Sequence, residues 1–273
     1  MEENKVYIVP DIHCRSFYKP VLEVKDHPVV MLGDFMDPYR FEDEVSDEQG
    51  LENLKEIIDY ARNNSNVVLL VGNHDASFVW SYLGWERTAH KYYDELHKLY
   101  RDNIDLFKPI HRINDTLFTH AGICNGWINI MNRAGYQLTE DNIEEFINSE
   151  FQKELENETA ANKDWLWPSL KSPIFDVGRS RGGRAPYGGP FWADYYGDFY
   201  KPAGWQTYQI FSHTLTEVVG VIRPEIGGVC IDSRAIFEYN PKTHFIKPSE
   251  INTEETKKQI INHSWKGYTI KIS

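Results

Sequence analysis

Short apolar runs rich in β-branched residues recur along the chain, and most of them end directly in Gly, Asp, Asn or His. Runs of this kind are typical of strands in a sheet that is covered on both faces. The pattern predicts strands over residues 6–9, 29–32, 67–71, 117–119, 209–211, 229–231 and 235–239. The chain therefore carries the strands of a sheet-based domain.

Apolar residues at helical spacing lie between some of these runs. One stripe consists of Leu51, Leu54, Ile57, Ile58 and Ala61, and a second consists of Ile143, Phe146, Ile147, Phe151 and Leu155. An order of strand, helix and strand is that of an α/β domain. The fold class predicted from the pattern is therefore α/β.

Two further segments differ from this pattern. Residues 86–107 have a helical pattern with many aromatic and charged side chains, which predicts a helical insertion. Residues 169–205 are rich in Gly, Pro, Arg and aromatic residues, which predicts a long loop, and long loops within compact domains are often functional. Because no internal repeat, low-complexity tract or linker divides the chain, we expect a single domain over residues 1–273.

Composition and charge restrict the partners. The 29 basic and 41 acidic residues give a net charge of -12, so we expect no extended surface for nucleic acid. No apolar run approaches the length of a membrane span, and the first residues lack the layout of a secretory signal. The three cysteines are too few and too scattered for a disulfide framework. These features favour a cytoplasmic protein without membrane association.

Residues of metal-ligand type follow five of the predicted strands directly. The five clusters are Asp11-Ile12-His13, Gly33-Asp34-Phe35-Met36-Asp37, Gly72-Asn73-His74-Asp75, His120-Ala121-Gly122 and Ser212-His213-Thr214. Each cluster alone is compatible with a helix cap or a turn. Ligands of α/β sheets bind outside the carboxyl ends of the strands, so the five clusters together predict one site.

The types of side chain in these clusters indicate which cofactor they would bind. Asp, His and Asn offer oxygen and imidazole nitrogen donors, which suit Mn, Fe or Zn better than a soft thiolate site would. A carboxylate such as Asp34 can bridge two ions, and two ions about 3.5–4 Å apart can share a hydroxide and clamp a phosphoryl group. We expect two divalent metal ions, with Mn as the first choice and Fe, Zn or Ni as alternatives.

The ordered series Asp-x-His, Gly-Asp-x-x-Asp, Gly-Asn-His-Asp, His-Ala-Gly and Ser-His-Thr resembles the calcineurin-like metallophosphoesterase superfamily, from about residue 5 to about residue 240. The resemblance implies a two-sheet β-sandwich flanked by helices. It implies that His74 is the general acid that protonates the leaving alkoxide, oriented by Asp37. It also implies that the first metal is held by Asp11, His13 and Asp34, and the second by Asp34, Asn73, His120 and His213.

The last motif narrows the resemblance to one branch. Phosphodiesterase members typically carry a second histidine there, whereas Ser212-His213-Thr214-Leu215 has none. The motif is similar to that of the phosphoprotein phosphatase branch, which includes bacterial, phage and diadenosine tetraphosphate hydrolase members. The stretch Gly188-Gly189-Pro190-Phe191-Trp192 is also similar to a Gly-Pro-x-Trp element of bacterial-like phosphatases.

The chain departs from the family at the residues that bind phosphate. Pro38-Tyr39 replaces the Arg-Gly that follows Asp37 in the family, and Arg40 is displaced. Arginine can fork onto phosphate oxygens. The candidates are Arg15, Arg40, Arg179, Arg181 and Arg184, with solvated surface charge as the alternative for the loop arginines. Asp232 is either a hydrogen-bond partner of a ligand histidine or an ordinary turn residue.

These observations predict a binuclear metal-dependent phosphatase acting on a phosphomonoester, possibly a phosphoprotein. The expected mechanism is attack by a metal-bridged hydroxide with His74 as general acid. One alternative is hydrolysis of a dinucleoside polyphosphate or another nucleotide. A second alternative is an inactive metal-binding scaffold, against which the His74 and Asp37 pair argues because a scaffold needs no leaving-group acid.

Overall fold

The computed structural model describes residues 4–39, 45–80, 83, 89–161, 172–199, 205, 207–216, 221–223, 228–262 and 268–269. Within these ranges the strands form two sheets. The first sheet has the spatial order β12 (Tyr268–Thr269), β11 (Phe245–Pro248), β10 (Phe237–Asn240), β1 (Val6–Val9), β2 (Val29–Met31), β3 (Val67–Leu70) and β4 (Phe107–Lys108). The second has the order β5 (Ile110–Ile113), β6 (Thr116–Thr119), β7 (Tyr208–Phe211), β9 (Gly228–Cys230) and β8 (Val221–Arg223).

Six α-helices accompany the sheets in the described part of the chain. They are α1 (Asp47–Asn63), α2 (Asn73–Val79), α3 (Tyr93–Asp102), α4 (Asn125–Arg133), α5 (Ile143–Ala161) and α6 (Glu254–Asn262). Strands β1 to β4 pair in parallel, as do β6, β7 and β9. The carboxyl ends of each parallel set therefore meet at one edge of their sheet.

Alternating residues of the first sheet face two different layers. Val6 and Ile8 of β1 belong to an apolar cluster that includes Phe118 and Ile210 of the second sheet. The intervening residues of β1 belong to a larger cluster that contains the buried face of α1. The predicted α/β fold, a two-sheet β-sandwich flanked by helices, is thus confirmed.

Helix α1 illustrates how the sequence sets its own boundaries. The Ser46 hydroxyl accepts a hydrogen bond from the Gln49 backbone N–H at 3.1 Å, which satisfies a donor of the first turn. Asp47 and Glu48 lie in the first turn and Arg62 in the last, as the helix dipole favours. The buried face contains the whole predicted stripe, Leu51, Leu54, Ile57, Ile58 and Ala61, and in addition Gly50, Asn53 and Tyr60.

One predicted strand begins later than expected. The apolar run from residue 235 predicts pairing from its first residue, but β10 begins at Phe237. The Asn252 side chain occupies both backbone groups of Ile236, accepting from its N–H at 2.8 Å and donating to its carbonyl at 2.8 Å. The Ile236 carbonyl also accepts from the Ser249 backbone N–H at 2.8 Å, so the side-chain amide takes the place of a sheet partner only at the N–H of Ile236.

The two atypical segments have different structures. The part of residues 86–107 that is described contains a 3₁₀ turn (Ala89–Tyr92), helix α3, another 3₁₀ turn (Ile104–Leu106) and the start of β4. Residues 172–199 of the predicted loop form irregular backbone with two 3₁₀ turns, Pro173–Phe175 and Arg179–Arg181. The single-domain organisation stays a prediction. Among the described residues, no helix is both long enough and apolar enough to cross a bilayer.

Candidate metal centre

The clusters that follow β1, β2, β3, β6 and β7 meet at the carboxyl edges of the two sheets. The backbone turns sharply there, and the left-handed region is occupied by His13 (φ 44°), Asp34 (φ 50°), Asp37 (φ 70°) and His213 (φ 68°). Each such conformation costs a non-glycine residue about 1–3 kcal/mol and concentrates at functional sites. The surrounding fold holds these residues in place against that cost.

Two glycines let the loops after β2 and β3 approach one another. Gly33 has φ 101°, and a Cβ built there would lie 2.4 Å from the backbone nitrogen of Gly72. A Cβ built on Gly72 would lie 2.1 Å from Oδ1 of Asp34. Since both residues are glycines, the two loops can pack closely together. Asp34 is thereby brought close enough to accept a hydrogen bond from the His74 backbone N–H at 2.9 Å.

The first group of ligand-type side chains consists of Asp11, His13 and Asp34, whose ligand atoms lie within 4.8 Å of one another. Nε2 of His13 lies 3.8 Å from Oδ2 of Asp11 and 3.5 Å from Oδ2 of Asp34. Nδ1 of His13 donates to the backbone carbonyls of Met36 and Asp37, at 3.1 and 3.0 Å. With the ring proton on Nδ1 in these contacts, Nε2 is the nitrogen whose lone pair faces the two carboxylates.

The second group consists of Asp34, His120 and His213, and it shares Asp34 with the first group. Nδ1 of His120 donates to the carbonyl of Leu32 at 2.9 Å, so its Nε2 faces the centre. Nε2 of His120 lies 3.6 Å from Oδ2 of Asp34, 3.1 Å from Nδ1 of His213 and 2.9 Å from Oδ1 of Asn73. All the expected ligands are thus gathered in two adjoining groups.

The protonation of these side chains fits a cation between them. Burial lowers the pKa of His120 to about 4 and that of His213 well below its ordinary value, so both rings are neutral at pH 7. Since Nδ1 of His120 holds the proton, lone pairs of His120, Asn73 and Asp34 converge without a donor between them. Oδ2 of Asp11 and Nε2 of His213 have no hydrogen-bond partner among the described residues. The donor set therefore fits divalent metal ions.

Three buried carboxylates reinforce this fit. Burial raises the pKa of Asp11, and the negative charges of Asp232 and Asp34 raise it further. Burial likewise raises the pKa of Asp232 to about 7. Oδ2 of Asp232 makes no hydrogen bond to a described residue, so the predicted bond to a ligand histidine stays a prediction. Cations at the centre would relieve the repulsion among these carboxylates.

His74 occupies the solvent side of the centre. Its Nδ1 lies 2.6 Å from Oδ2 of Asp37, and the His74 side chain is 13% exposed whereas the Asp37 side chain is fully buried. The His74 ring stands edge-on to that of His13, with 5.4 Å between ring centroids. A histidine held by a buried carboxylate and open to solvent can transfer a proton to or from a bound molecule.

Asp75 is a positioning residue to which the sequence interpretation gave no role. It is buried and accepts hydrogen bonds from the backbone N–H groups of Asp34 (2.7 Å), Phe35 (2.9 Å) and Gly72 (2.8 Å). The Tyr100 hydroxyl of α3 donates to it at 2.5 Å. The only indication of this role in the sequence is the position of Asp75 at the end of the Gly-Asn-His-Asp motif. Its hydrogen bonds hold the turn that carries Asp34.

The candidate arginines have different surroundings. Arg15 is half-buried, its guanidinium lies 5.4 Å from the centroid of the Tyr39 ring, and its Nη1 donates to the carbonyl of Ile12 at 3.3 Å. Arg179 and Arg184 are exposed, and Arg40 lies outside the described residues. Their roles in phosphate binding stay predictions.

Arg181 reaches toward the second group of ligands. Its Nε lies 2.8 Å from Oδ2 of Asp194, and its Nη2 donates to Oγ1 of Thr214 at 2.7 Å and to the carbonyl of His213 at 3.4 Å. Substrate binding by Arg181 stays a prediction, but these contacts favour a positioning role. Elsewhere in the same loop, Pro190 accepts from the N–H of Ala121, next to His120.

Comparison with known proteins agrees with this arrangement. The family model described as calcineurin-like phosphoesterase matches residues 5–215, which include every cluster of the centre. No curated protein matches the chain.

Solved structures show the same fold. The chain is 18% identical to the cold-active protein-tyrosine phosphatase of the psychrophile Shewanella sp., with a TM-score of 0.59, over 98% of this chain and 80% of that one. It is 13% identical to a protein serine/threonine phosphatase from Saccharomyces cerevisiae with similarity to human phosphatase PP5, with a TM-score of 0.50, over 99% of this chain and 81% of that one. The chain therefore belongs to the calcineurin-like phosphoesterase family, and it is a metal-dependent phosphoester hydrolase.

Proposed function

We propose that the chain is a phosphatase with two divalent metal ions, and that its substrate is the phosphomonoester of a phosphorylated protein. The observation that carries the proposal is the position of His74. Its ring is held by Asp37 and lies beside two groups of ligand-type side chains that share Asp34. A protein that only bound metal would not need a proton-transfer pair at this position.

The proposed metal ligands divide into two sets with one common member. One ion would be held by Asp11, His13 and Asp34, and the other by Asp34, Asn73, His120 and His213. When bound, two such ions lower the pKa of a water molecule and neutralise the charge that develops on phosphoryl oxygens. A set of oxygen and imidazole donors suits Mn²⁺, with Fe, Zn or Ni as the alternatives.

His74 supplies the proton that the leaving oxygen needs. Asp37 accepts from Nδ1 of His74, which orients the ring with Nε2 away from Asp37. Nε2 is then the atom that donates to the alkoxide as the phosphorus–oxygen bond breaks. After the reaction the ring regains a proton from solvent, to which it is partly exposed.

Arg15 is the proposed contact for the phosphate group. Burial raises the pKa of Asp232, and the positive charge of Arg15 acts against that rise. The field of the Arg15 guanidinium therefore reaches the centre. The ring of Tyr39 and the carbonyl of Ile12 hold the guanidinium. A guanidinium fixed in this way can fork onto two phosphate oxygens and replace the arginine that the family carries after Asp37.

The substrate class rests on two further observations. The motif around His213 lacks the second histidine typical of phosphodiesterase members. The two structural neighbours are phosphatases named for protein substrates. We also propose a cytoplasmic location, because the three cysteines, Cys14, Cys124 and Cys230, are buried free thiols, as in proteins of a reducing compartment.

The test is a substrate screen with protein reconstituted with Mn²⁺. The substrates are an activated aryl phosphate, peptides with phosphoserine, phosphothreonine or phosphotyrosine, dinucleoside polyphosphates and cyclic nucleotides. We expect turnover of the aryl phosphate and of at least one class of phosphopeptide, with no turnover by Asp34→Asn purified in parallel. Turnover confined to dinucleoside polyphosphates would establish the nucleotide alternative, and no turnover of any ester would establish the scaffold.

A further inference from the structure

A tight turn in the loop beside the centre presents two arginines to solvent. Gly178 and Ala185 form an isolated bridge, and the N–H of Arg179 donates to the carbonyl of Ala185 at 3.0 Å. Gly182 closes the turn with φ 80°. Arg179 and Arg184 are both exposed and flank this bridge, so their guanidinium groups leave the turn from neighbouring backbone positions.

Neither of these arginines forms an ion pair with a carboxylate of the described part of the chain, and the same holds for the exposed Arg133 at the end of α4. By contrast, Arg62, Arg112 and Arg181 each pair with an acidic residue. Arginines without a pairing carboxylate are unusual on a chain in which 41 acidic residues outnumber 29 basic ones. Their fields add together over this surface and attract anionic groups.

The turn lies against the metal centre. Arg181, at its middle, contacts the backbone of His213 and the hydroxyl of Thr214. Arg179 and Arg184 are two and three residues away, so their Cα atoms lie within about 7 and 11 Å of that of Arg181 even in fully extended chain. In an extended substrate polypeptide, the residues two to four positions from the phosphorylated residue lie at comparable distances from it.

Apolar side chains on the same rim suit a polypeptide rather than a small phosphate ester. The side chain of Tyr196 is 53% exposed and that of Leu215 is 50% exposed. Their segments are joined by a hydrogen bond of 3.1 Å from the N–H of Tyr195 to Oγ1 of Thr214. Exposed apolar groups beside a catalytic centre typically contact a larger partner.

A cavity of about 180 Å³ continues the surface beyond the turn. Its walls include Tyr187, at the base of the turn, and Asn125, Asn129 and Arg133 of α4. The carboxylate of Asp198 also lines the cavity, but it is buried and already accepts from Gly188 N, Asp194 N and Ser180 Oγ. The Asn129 amide donates to Oδ1 of Asn125 at 3.1 Å, and the exposed guanidinium of Arg133 beside this pair suits an acidic side chain.

We propose that Arg179, Arg184 and Arg133, the arginine rim, bind acidic residues that flank the phosphorylated residue of a protein substrate. The proposal rests on the proposed phosphoprotein phosphatase function and specifies its substrate class. The rim increases the local concentration of acidic substrates and orients them, while hydrolysis takes place at the metal centre.

The test compares kcat/KM for two phosphopeptides with the same phosphorylated residue, one flanked by Asp and Glu and the other by Ala. The enzymes are the wild type, the double variant Arg179→Gln/Arg184→Gln and the control Lys25→Gln/Arg62→Gln. The control removes the same charge from residues that precede β2 and β3, at the opposite edge of the sheet. A fourth enzyme, Arg179→Lys/Arg184→Lys, keeps the charge.

We expect the wild type to favour the acidic peptide by about tenfold at low ionic strength, and the preference to fall in 0.5 M salt because salt screens exposed charges. The double glutamine variant should lose most of the preference, whereas the control and the lysine variant should keep it. Equal loss on both peptides in the glutamine variant would assign the arginines to the phosphate itself and overturn the proposal.

The proposal and the function on which it rests fail in different ways. A wild type that cleaves both peptides equally would refute the arginine rim and leave the phosphatase function standing. A wild type that cleaves the aryl phosphate but no phosphopeptide would refute both the rim and the protein substrate. Circular dichroism of each variant establishes that the compared proteins are folded.

Discussion

Individual histidines at the centre are fixed through the ring nitrogen that points away from it. His13 and His120 each donate from Nδ1 to a backbone carbonyl, and His74 places Nδ1 against the carboxylate of Asp37. The hydrogen bond selects the tautomer, so the chemical role of Nε2 is set by the residue behind the ring. In the first two rings Nε2 can bind a cation, and in His74 it can carry a proton.

Asp34 is the residue that both proposed metal sites require. Its Oδ2 lies 3.5 Å from Nε2 of His13 and 3.6 Å from Nε2 of His120. Asp34→Asn should weaken the binding of both ions by at least about tenfold, because a neutral amide removes negative charge from both sites. Elemental analysis after gel filtration measures the retained metal, with the exposed Asp59→Asn of α1 as control. Two retained ions with undiminished hydrolysis would disprove the binuclear assignment.

His74 should matter most for substrates with poor leaving groups. General acid catalysis contributes about 10²–10⁴-fold, so His74→Asn should lose about that much kcat on an alkyl phosphate. On an activated aryl phosphate the loss should be much smaller, because its leaving group needs little protonation. The measurement is kcat for both substrates with matched metal content. An identical loss on both would indicate a structural or metal-binding histidine instead.

At the scale of elements, segments remote in sequence position the turns of the centre. Helix α3 contributes Tyr100, whose hydroxyl binds Asp75 and thereby steadies the turn of Asp34. The loop of residues 172–199 holds the other side, through Arg181 on Thr214 and through Trp192, whose ring stands edge-on to that of His213 at 5.6 Å. Helix α3 and the loop thus act on different members of the ligand set, α3 on Asp34 and the loop on His213.

Arg181 provides a test of this positioning. Arg181→Gln should weaken Mn²⁺ binding by about tenfold, because loss of a residue that orients a ligand typically costs 10–100-fold in metal affinity. Calorimetric titration of metal-free protein measures the affinity without relying on turnover, and Arg181→Lys should recover part of it. Arg179→Gln, two residues away and exposed, is the matched control. Equal affinities in all the variants would argue against the positioning role.

Local pattern predicted the buried strands and the stripe of α1, because burial on both faces leaves a continuous apolar run. It missed β5, in which His111 and Arg112 are half-exposed and interrupt the run, and β11, which contains Lys247 and Pro248. For the site, the motifs predicted which ligand-type residues meet. The support of Asp75 by Tyr100 could not be predicted, because it depends on packing between segments 25 residues apart.

At the scale of the whole molecule, the centre lies at the junction of the two sheets. Asp11, Asp34 and Asn73 follow strands of the first sheet, and His120 and His213 follow strands of the second. The apolar layer between the sheets, which contains Ile8, Phe118 and Ile210, therefore determines the distances between ligands. A shift of one sheet against the other would alter both ligand groups.

The second sheet also predicts a pH dependence of stability. Burial in β5, with the nearby charge of Lys108, lowers the pKa of His111 to about 4, against 6.5 in the unfolded chain. The unfolded state therefore binds more protons between these pKa values, so this contribution is present above pH 6.5 and is lost as the pH falls toward 4.

Urea denaturation in the presence of a chelator measures the effect. The free energy of unfolding of the wild type should fall more steeply than that of His111→Gln between pH 6.5 and pH 4.5. The difference between the two proteins is compared, because other groups titrate equally in both. A difference that stays constant over this range would show that His111 has the same pKa in the folded and the unfolded protein.

The separation of the ligands along the chain has a consequence for the supply of metal. Asp11 and His213 adjoin in space but are 202 residues apart in sequence, so the unfolded chain has no such site. An ion that binds only the folded state at 100 times its Kd stabilises that state by about 2.7 kcal/mol. Thermal unfolding with and without Mn²⁺ should show this as a higher Tm, and an unchanged Tm would contradict it. Metal starvation would then lower the amount of this protein in a cell as well as its turnover.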